Sequence, residues 1–219
     1  MYEQQKRLIV EFGLKMLRSN HVSGSSGNIS VKIDENLIAI TPSGIAYDKL
    51  NFDQVPVIDM NGKIIEGNLK PSIEYQLHTQ IYRNFSDVNA VIHTHSIYAT
   101  VLSVLRIPLP AITETVLMFS KQIPVSEYAN AGTNELARNV VRCMKDSRAV
   151  LIANHGLVCA AKSLDEAFNM CEAVERSAQV YVSAMSTNMP IYVIDEKYAE
   201  EAMTFLKKNY GQATDFISF

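Results

Sequence analysis

The sequence contains no tryptophan and only three cysteines among its 219 residues. The cysteine count is odd and no two cysteines have Cys-x-x-Cys spacing, which argues against a disulfide framework and fits a reducing compartment. A strong charge of either sign is also missing, because the net charge is −3 and the pI is about 6.0. The basic residues are scattered along the chain, so there is no electrostatic case for binding nucleic acid.

Long apolar runs are absent as well. None approaches the roughly 18–20 residues that are needed to span a bilayer. The polar stretch over residues 1–7 lacks the apolar segment of a signal peptide. We therefore expect a soluble, cytoplasmic protein that has neither a membrane nor a nucleic acid as its partner.

The chain does have a sizeable apolar fraction. Hydrophobic residues make up 47% of the sequence, which is enough for a substantial core. A length of 219 residues is long for one domain and short for two, and no long linker or internal repeat divides it. We therefore expect a single domain over residues 1–219.

Predicted helices and strands interleave along the chain. Helical spacing and helix-start signals predict helices at about 3–19, 71–84, 95–105, 132–145, 163–185 and 195–209. Apolar runs and turn signals predict strands at about 29–33, 37–41, 55–60, 63–65, 88–94, 123–125, 149–154 and 157–161. The early and late hairpins indicate an α/β fold in which a mainly antiparallel sheet is flanked by helices.

Three of the five histidines lie where predicted strands end. His93 and His95 follow the apolar run 90–92, and His155 follows the run 149–153. Side chains alternate faces along a strand, so His93 and His95 point to the same side and can reach one ion. Each histidine alone is more simply explained as a hydrogen-bonded structural residue. The three together favour an open metal site of the kind that catalytic zinc requires.

Glu74 lies in the first turn of the helix predicted from Pro71 and Ser72. The helix dipole favours a carboxylate there, so a purely structural role is one interpretation. The alternative places Glu74 beside the metal, as a fourth ligand or as a base that removes a proton next to a polarised carbonyl. His78, one turn further on the same face, is predicted to be a buried supporting residue rather than a ligand.

Small-residue turns provide a candidate anion site. Gly27-Asn28 and Ser43-Gly44 lie at strand ends, and Ser72 lies at a helix start. Backbone amides, hydroxyls and a helix N-terminus can bind phosphate without a lysine, although each turn alone is a common feature. Neither a P-loop nor a GxGxxG pattern is present, so nucleotide binding has no support.

Six short motifs occur along the chain in the order in which one protein family has them. They are residues 27–31, 41–45, 71–74, 93–96, 132–136 and 154–157. The ordered set resembles the class II aldolase/adducin-head family over nearly the whole chain, and within that family it is most similar to the fuculose-phosphate aldolases.

The resemblance implies a three-layer α/β/α fold, a fourfold homotetramer and active sites at subunit interfaces. It implies a Zn²⁺ cofactor whose ligands are Glu74, His93, His95 and His155. The Glu74 carboxylate would bind the metal in the resting site and serve as acid and base once substrate displaces it. It also implies binding of the substrate phosphate by Gly27, Asn28, Ser43, Gly44 and Ser72.

The reaction implied by the resemblance is zinc-dependent aldol cleavage of a ketose 1-phosphate, L-fuculose 1-phosphate or a close analogue, to dihydroxyacetone phosphate and an aldehyde. Two residues depart from the pattern of the fuculose-phosphate aldolases. Ile73 replaces a serine, and Glu114 replaces a tyrosine that is a proposed proton donor to the aldehyde. Tyr210 resembles the tail tyrosine that reaches the active site of these aldolases, so Glu114 and Tyr210 are further catalytic candidates.

Two alternatives remain. A carboxylate near position 114 is similar to what sugar-phosphate dehydratases of the family have, so a dehydratase or a 4-epimerase could use the same metal site. A non-catalytic scaffold like the adducin head is disfavoured, because those heads lack the zinc ligands that this chain keeps.

Overall fold

The computed structural model of the chain describes residues 1–145 and 147–209. Its strands are β1 (Asn28–Lys32), β2 (Leu37–Ile40), β3 (Val57–Asp59), β4 (Ile64–Glu66), β5 (Ala90–Thr94), β6 (Leu109–Pro110), β7 (Gln122–Ile123), β8 (Ala149–Ile152) and β9 (Gly156–Ala161). β6 and β7 pair only with each other, and the other strands form one sheet in the order β4-β3-β2-β1-β5-β9-β8. Every neighbouring pair in this sheet is antiparallel.

Helices cover both faces of the sheet. They are α1 (Glu3–Arg18), α2 (Tyr75–Asn84), α3 (Ile97–Leu105), α4 (Glu114–Leu117), α5 (Asn134–Cys143), α6 (Leu164–Met185) and α7 (Glu196–Asn209). Two of the predicted start signals cap their helices: the Thr133 hydroxyl accepts the Leu136 N–H, and the Ser163 hydroxyl accepts the Glu166 N–H. None of the helices formed by the described residues combines the length and the apolar character that crossing a bilayer requires.

The core lies in two layers, one on each face of the sheet. The neighbouring β5 residues Val91 and Ile92 belong to different layers, as the alternation of a strand requires. Ile92 packs in the layer that contains α1, α3 and α6, whereas Val91 packs in the layer that contains α2 and α5. Full burial of a side chain of this size contributes about 1.5–3 kcal/mol. The predicted α/β fold with a mainly antiparallel central sheet between helices is confirmed.

Two strands are shorter than predicted because of proline. The strand expected over 55–60 begins at Val57, since Pro56 has no N–H to give to the ladder. The strand expected over 123–125 ends at Ile123, before Pro124, and Val125 instead forms an isolated parallel bridge with Leu151.

Two helix starts near the candidate site also differ from the prediction. The helix expected from residue 71 begins at Tyr75, so Glu74 is its N-cap residue and not part of its first turn. A turn precedes it, in which Ser72 accepts the N–H groups of Glu74 and Tyr75 at 3.2 and 3.1 Å. The helix expected from residue 95 begins at Ile97, which leaves His95 in the connection between β5 and α3.

Candidate metal centre

The three histidines predicted as ligands come together at one end of the sheet. His93 is on β5, His95 follows that strand directly, and His155 lies in the turn between β8 and β9. Their ring centroids are 4.7–4.9 Å apart. One nitrogen from each ring lies within 4.8 Å of the others, so the cluster could hold a metal ion.

Close approach of the backbone makes this convergence possible. A side-chain carbon on Gly156 would collide with the carbonyl oxygen of Thr94, and one on Gly27 would lie 2.5 Å from the carbonyl oxygen of His93. Gly27 also has a φ of 71°, in the left-handed region that favours glycine. The two glycines therefore let β1 and β9 pack against the end of β5.

The free ring nitrogens point into the cluster. Nδ1 of His93 donates to the carbonyl oxygen of Leu157 at 2.9 Å, which leaves Nε2 with its lone pair. That Nε2 is 3.0 Å from Nε2 of His95, a spacing close to what two ligands about 2.0–2.1 Å from one ion would have. Burial lowers the pKa of His93 to about 4, against the opposing effect of Glu74, so the ring is neutral as metal ligation requires.

Glu74 completes the cluster. Its Oε2 accepts an N–H of the Asn28 side chain at 2.8 Å and lies 3.3 Å from Nε2 of His93. Its Oε1 is buried without a hydrogen-bond partner among the described residues and lies 3.7 Å from Nε2 of His155. Burial raises the pKa of Glu74, but positive charge at the positions of His93 and His155 and the hydrogen bond from Asn28 outweigh burial and hold the pKa below its ordinary value. A buried, ionised oxygen without a partner beside three imidazoles fits a divalent cation.

Behind Glu74 lies a chain of buried side chains. Asn28 Oδ1 is 2.5 Å from Nε2 of His78, and Nδ1 of His78 is 2.6 Å from the Ser30 hydroxyl, which also contacts the Tyr82 hydroxyl at 2.8 Å. Burial lowers the pKa of His78 to about 3. Both ring nitrogens of His78 are thus engaged, which leaves neither of them for a metal. The sequence identified His78 as a buried supporting residue but not its partners, because Ser30 and Tyr82 carry no local signal.

Of the residues predicted to bind phosphate, Ser43, Gly44 and Ser72 lie in two loops, whereas Asn28 begins β1 and follows Gly27. Pro42 and Pro71 form an antiparallel bridge that joins the two loops. The Ser43 N–H donates to Lys70, and the Ser72 N–H donates to Thr41, both at 2.9 Å. Ser43 and Gly44 are exposed, whereas Ser72 and Asn28 are buried.

Glu114 and Tyr210 are not brought to the cluster by this structure. Glu114 is exposed at the start of α4, which packs against α6 and α7. Within the described residues, no hydrogen bond or ion pair joins Glu114 to the histidines. Tyr210 lies outside the described residues.

Sequence reasoning missed one residue that supports His95. Both carboxylate oxygens of Glu175 on α6 accept backbone N–H groups at the start of α3, from Tyr98 and Ala99, each at 2.9 Å. They satisfy two of the unpaired N–H groups of that helix end and so fix the segment that follows His95. Nothing in the local sequence indicates this contact, because 76 residues separate Glu175 from Ala99.

An apolar groove of about 480 Å³ adjoins the cluster. Its lining includes His95 and His155 together with one face of α3. On that face Ile97 is 64% exposed, and Val104 and Leu105 are about half exposed. Exposed apolar side chains on one helix face indicate an interaction surface.

Comparison with known proteins agrees with this geometry. The sequence profile of the class II aldolase and adducin N-terminal domain family matches residues 7–182. The chain is 35% identical over 213 residues to the 5-deoxy-D-ribulose 1-phosphate aldolase of Bacillus thuringiensis serovar kurstaki, covering 97% of this chain and 99% of that protein. It is 36% identical over 207 residues to the L-fuculose phosphate aldolase of Escherichia coli K12, covering 94% of each. The solved structure of an L-fuculose 1-phosphate aldolase matches with a TM-score of 0.89 and 38% identity, covering 93% of this chain and 96% of that one.

Proposed function

Because the chain belongs to the class II aldolase and adducin N-terminal domain family, we propose that it is a zinc-dependent aldolase that acts on a ketose 1-phosphate. The products are dihydroxyacetone phosphate and an aldehyde. The observation that carries the proposal is the convergence of three imidazoles with the buried carboxylate oxygen of Glu74, which has no hydrogen-bond partner among the described residues. Residues 1–219 act as one domain in this proposal.

His93, His95 and His155 hold the metal, and Glu74 binds it when no substrate is present. A bound zinc ion supplies Lewis-acid polarisation of the carbonyl and neighbouring hydroxyl oxygens of the substrate. An imidazole binds a metal in its neutral form, because a metal competes with protons for the same lone pairs.

Glu74 moves the proton at C3. In the condensing direction its carboxylate removes that proton from dihydroxyacetone phosphate, and the electron pair of the C–H bond moves toward the C2 carbonyl oxygen. The pair then forms the C3–C4 bond with the aldehyde carbon, and the aldehyde oxygen gains a proton to become the C4 hydroxyl. In cleavage, the C4 hydroxyl loses its proton, the C3–C4 bond breaks and Glu74 returns a proton to C3. The lowered pKa favours the ionised form of Glu74, which is the form that can take up a proton.

The substrate phosphate binds where the loops of Ser43-Gly44 and Ser72 meet next to Gly27-Asn28. The Pro42–Pro71 bridge supports this assignment, because it holds the two loops together. Ser43 and Gly44 are exposed to an incoming ligand, and the Asn28 side chain links this region to Glu74.

The preferred substrate is a deoxy-ketose 1-phosphate. Two relatives that cover nearly the whole chain are named for 5-deoxy-D-ribulose 1-phosphate and for L-fuculose phosphate, both phosphorylated deoxy sugars. The aldehyde that is released from such a substrate ends in a methyl group.

The working form is a homotetramer in the cytoplasm. The exposed apolar face of α3 next to His95 supports burial against a second copy of the chain at the edge of the site. Glu114 and Tyr210 enter the aldehyde end of the site from a neighbouring subunit in this arrangement. The free cysteines of the described part fit a reducing compartment.

A panel of ketose 1-phosphates tests the proposal. The zinc-loaded protein is expected to release dihydroxyacetone phosphate from deoxy-ketose 1-phosphates, measured by coupled oxidation of NADH. Loss of water from a sugar phosphate without release of dihydroxyacetone phosphate would favour a dehydratase. Inversion at C4 without cleavage would favour an epimerase. Of these two alternatives, the dehydratase is the one favoured by Glu114 in place of tyrosine. A purified protein that binds no metal would instead indicate a scaffold like the adducin head.

A further inference from the structure

We propose that His78, Ser30 and Tyr82 are positioning residues that fix the orientation of the Asn28 side-chain amide, so that its NH₂ group faces Glu74. The inference rests on the proposed function, in which Glu74 moves the C3 proton and Asn28 contacts the substrate phosphate. It assigns a role to a buried chain of hydrogen bonds that touches neither the metal nor the substrate.

The Glu74 carboxylate determines which groups donate and which accept along this series of hydrogen bonds. An ionised carboxylate only accepts hydrogen bonds, so the Asn28 atom 2.8 Å from Glu74 is the amide nitrogen. The amide oxygen then faces His78, and it accepts the Nε2–H at 2.5 Å. A neutral imidazole carries one N–H, so Nδ1 of His78 must accept, and it takes the proton of the Ser30 hydroxyl at 2.6 Å.

Tyr82 is the last residue in this series of hydrogen bonds. The Ser30 hydroxyl has one proton and gives it to His78, so the single Tyr82 proton is shared between the hydroxyl oxygen of Ser30, at 2.8 Å, and its carbonyl oxygen. The Tyr82 hydroxyl is also 3.0 Å from the Ser30 carbonyl oxygen. Ser30 and His78 have no solvent exposure, and Asn28 and Tyr82 are each 4% exposed.

The opposite amide orientation is disfavoured at both ends. It would place the Asn28 oxygen against the Glu74 carboxylate and the Asn28 NH₂ group against the Nε2–H of His78. Buried groups left without a partner, or facing a like group, lose the full value of their hydrogen bonds. The contacts with Glu74 and His78 therefore leave the Asn28 amide one usable orientation.

One amide thereby serves two parts of the reaction. Its NH₂ group has two protons, one of which goes to Glu74, so the second remains for a phosphate oxygen. Loss of the fixed orientation should weaken both proton transfer and phosphate binding. Loss of the base alone, as in Glu74→Gln, should lower kcat and leave KM nearly unchanged.

The test compares His78→Met with His78→Gln. Methionine fills a similar volume without a donor, whereas the glutamine NH₂ group can donate from near the position of the histidine Nε2. Both are assayed by exchange of the C3 proton of dihydroxyacetone phosphate with deuterated solvent. For His78→Met we expect kcat to fall about 10²-fold, as when a reacting group is misplaced by an ångström. We expect its KM to rise about ten-fold, the loss of one hydrogen bond to a charged group.

The glutamine variant and a control make the result specific. His78→Gln is expected to recover to within about five-fold of the parent, since an ordinary hydrogen bond is worth about that factor. Thr79→Val removes a buried hydroxyl from the next position of α2, whose partner is the Gln76 carbonyl, and should leave exchange unchanged. Zinc content should match the parent in all three variants.

Equal loss in the methionine and glutamine variants, or no loss in either, would overturn the inference. If His78→Met fails to fold, Ser30→Ala takes its place and should slow exchange about five-fold and raise KM; unchanged kinetics would again overturn the inference. A parent protein that neither exchanges the C3 proton nor cleaves any ketose 1-phosphate would overturn the proposed function, and this inference with it.

Discussion

Oε1 of Glu74 lies 3.7 Å from Nε2 of His155 and, within the described residues, accepts no hydrogen bond. An ionised oxygen in that position is costly to bury unless a cation or a donor satisfies it. His155 comes from the β8–β9 hairpin, whereas His93 and His95 lie at the end of β5, so this contact joins the two halves of the centre.

The first prediction concerns metal content. We expect about one zinc ion per chain in the purified protein, since three histidines and a carboxylate complete a four-ligand shell. His155→Ala removes one ligand and should lose most of the metal. Elemental analysis by mass spectrometry measures both. Full zinc occupancy in the variant would rule out His155 as a ligand.

The second prediction separates the base from the ligands. Glu74→Gln keeps the shape of the side chain but cannot take a proton, so cleavage should slow by about 10²–10⁴-fold. The histidines should retain the zinc, which elemental analysis of the same sample checks. Turnover at the parent rate would leave Glu74 as only the N-cap residue of α2.

The third prediction concerns the aldehyde end. Tyr210→Phe should slow cleavage of the C3–C4 bond while leaving exchange of the C3 proton of dihydroxyacetone phosphate largely intact, because exchange needs no group at the aldehyde end of the site. Parallel measurements of cleavage and exchange decide this. Equal loss of both activities, or of neither, would remove Tyr210 from the mechanism. The same pair of assays applies to Glu114→Gln, for which an effect on dehydration alone would favour the dehydratase.

The fourth prediction uses two buried tyrosines with opposite surroundings. The Tyr47 hydroxyl has no hydrogen-bond partner among the described residues, whereas the Tyr82 hydroxyl shares its proton between two oxygens of Ser30. Tyr47→Phe should therefore raise the free energy of unfolding by about 1 kcal/mol, and Tyr82→Phe should lower it by about the same amount. Urea denaturation measures both, and a loss of stability in Tyr47→Phe would contradict the structure.

The fifth prediction concerns the start of α3. Glu175→Ala removes the acceptor for the Tyr98 and Ala99 N–H groups, so the variant should unfold about 1–2 kcal/mol more easily. Since His95 lies two residues before the helix, its zinc affinity should also fall. Glu201→Ala, at an exposed position of α7, is the control for a lost carboxylate. Equal stability and equal zinc affinity in the two variants would rule out the role of Glu175 in fixing the start of α3.

Local rules made much of the fold predictable from the sequence. Strand alternation placed His93 and His95 on one side, and the side chains of Thr133 and Ser163 cap their helices as their positions indicated. These signals act within a few residues of the chain, where geometry depends mainly on backbone periodicity.

The remaining features of the site depend on contacts between distant residues. Asn28 meets His78 across 50 positions, and Glu175 meets the start of α3 across more than 70. Neither contact changes the local pattern of apolar and polar residues, so no periodicity indicates it. The start of α2 was misplaced because Pro71 and Ser72 signal a helix N-terminus, while the Ser72 hydroxyl and carbonyl close a separate turn before Tyr75.

The two glycines that touch the end of β5 affect how the sequence can vary. Neither Gly27 nor Gly156 offers a side chain to an ion, yet a single added methyl group at either position would meet the backbone carbonyl of His93 or Thr94. A saturation library screened for zinc retention should therefore tolerate as few substitutions at Gly156 as at a coordinating histidine. Mutational intolerance at this end of the sheet would then reflect steric room as much as coordination chemistry.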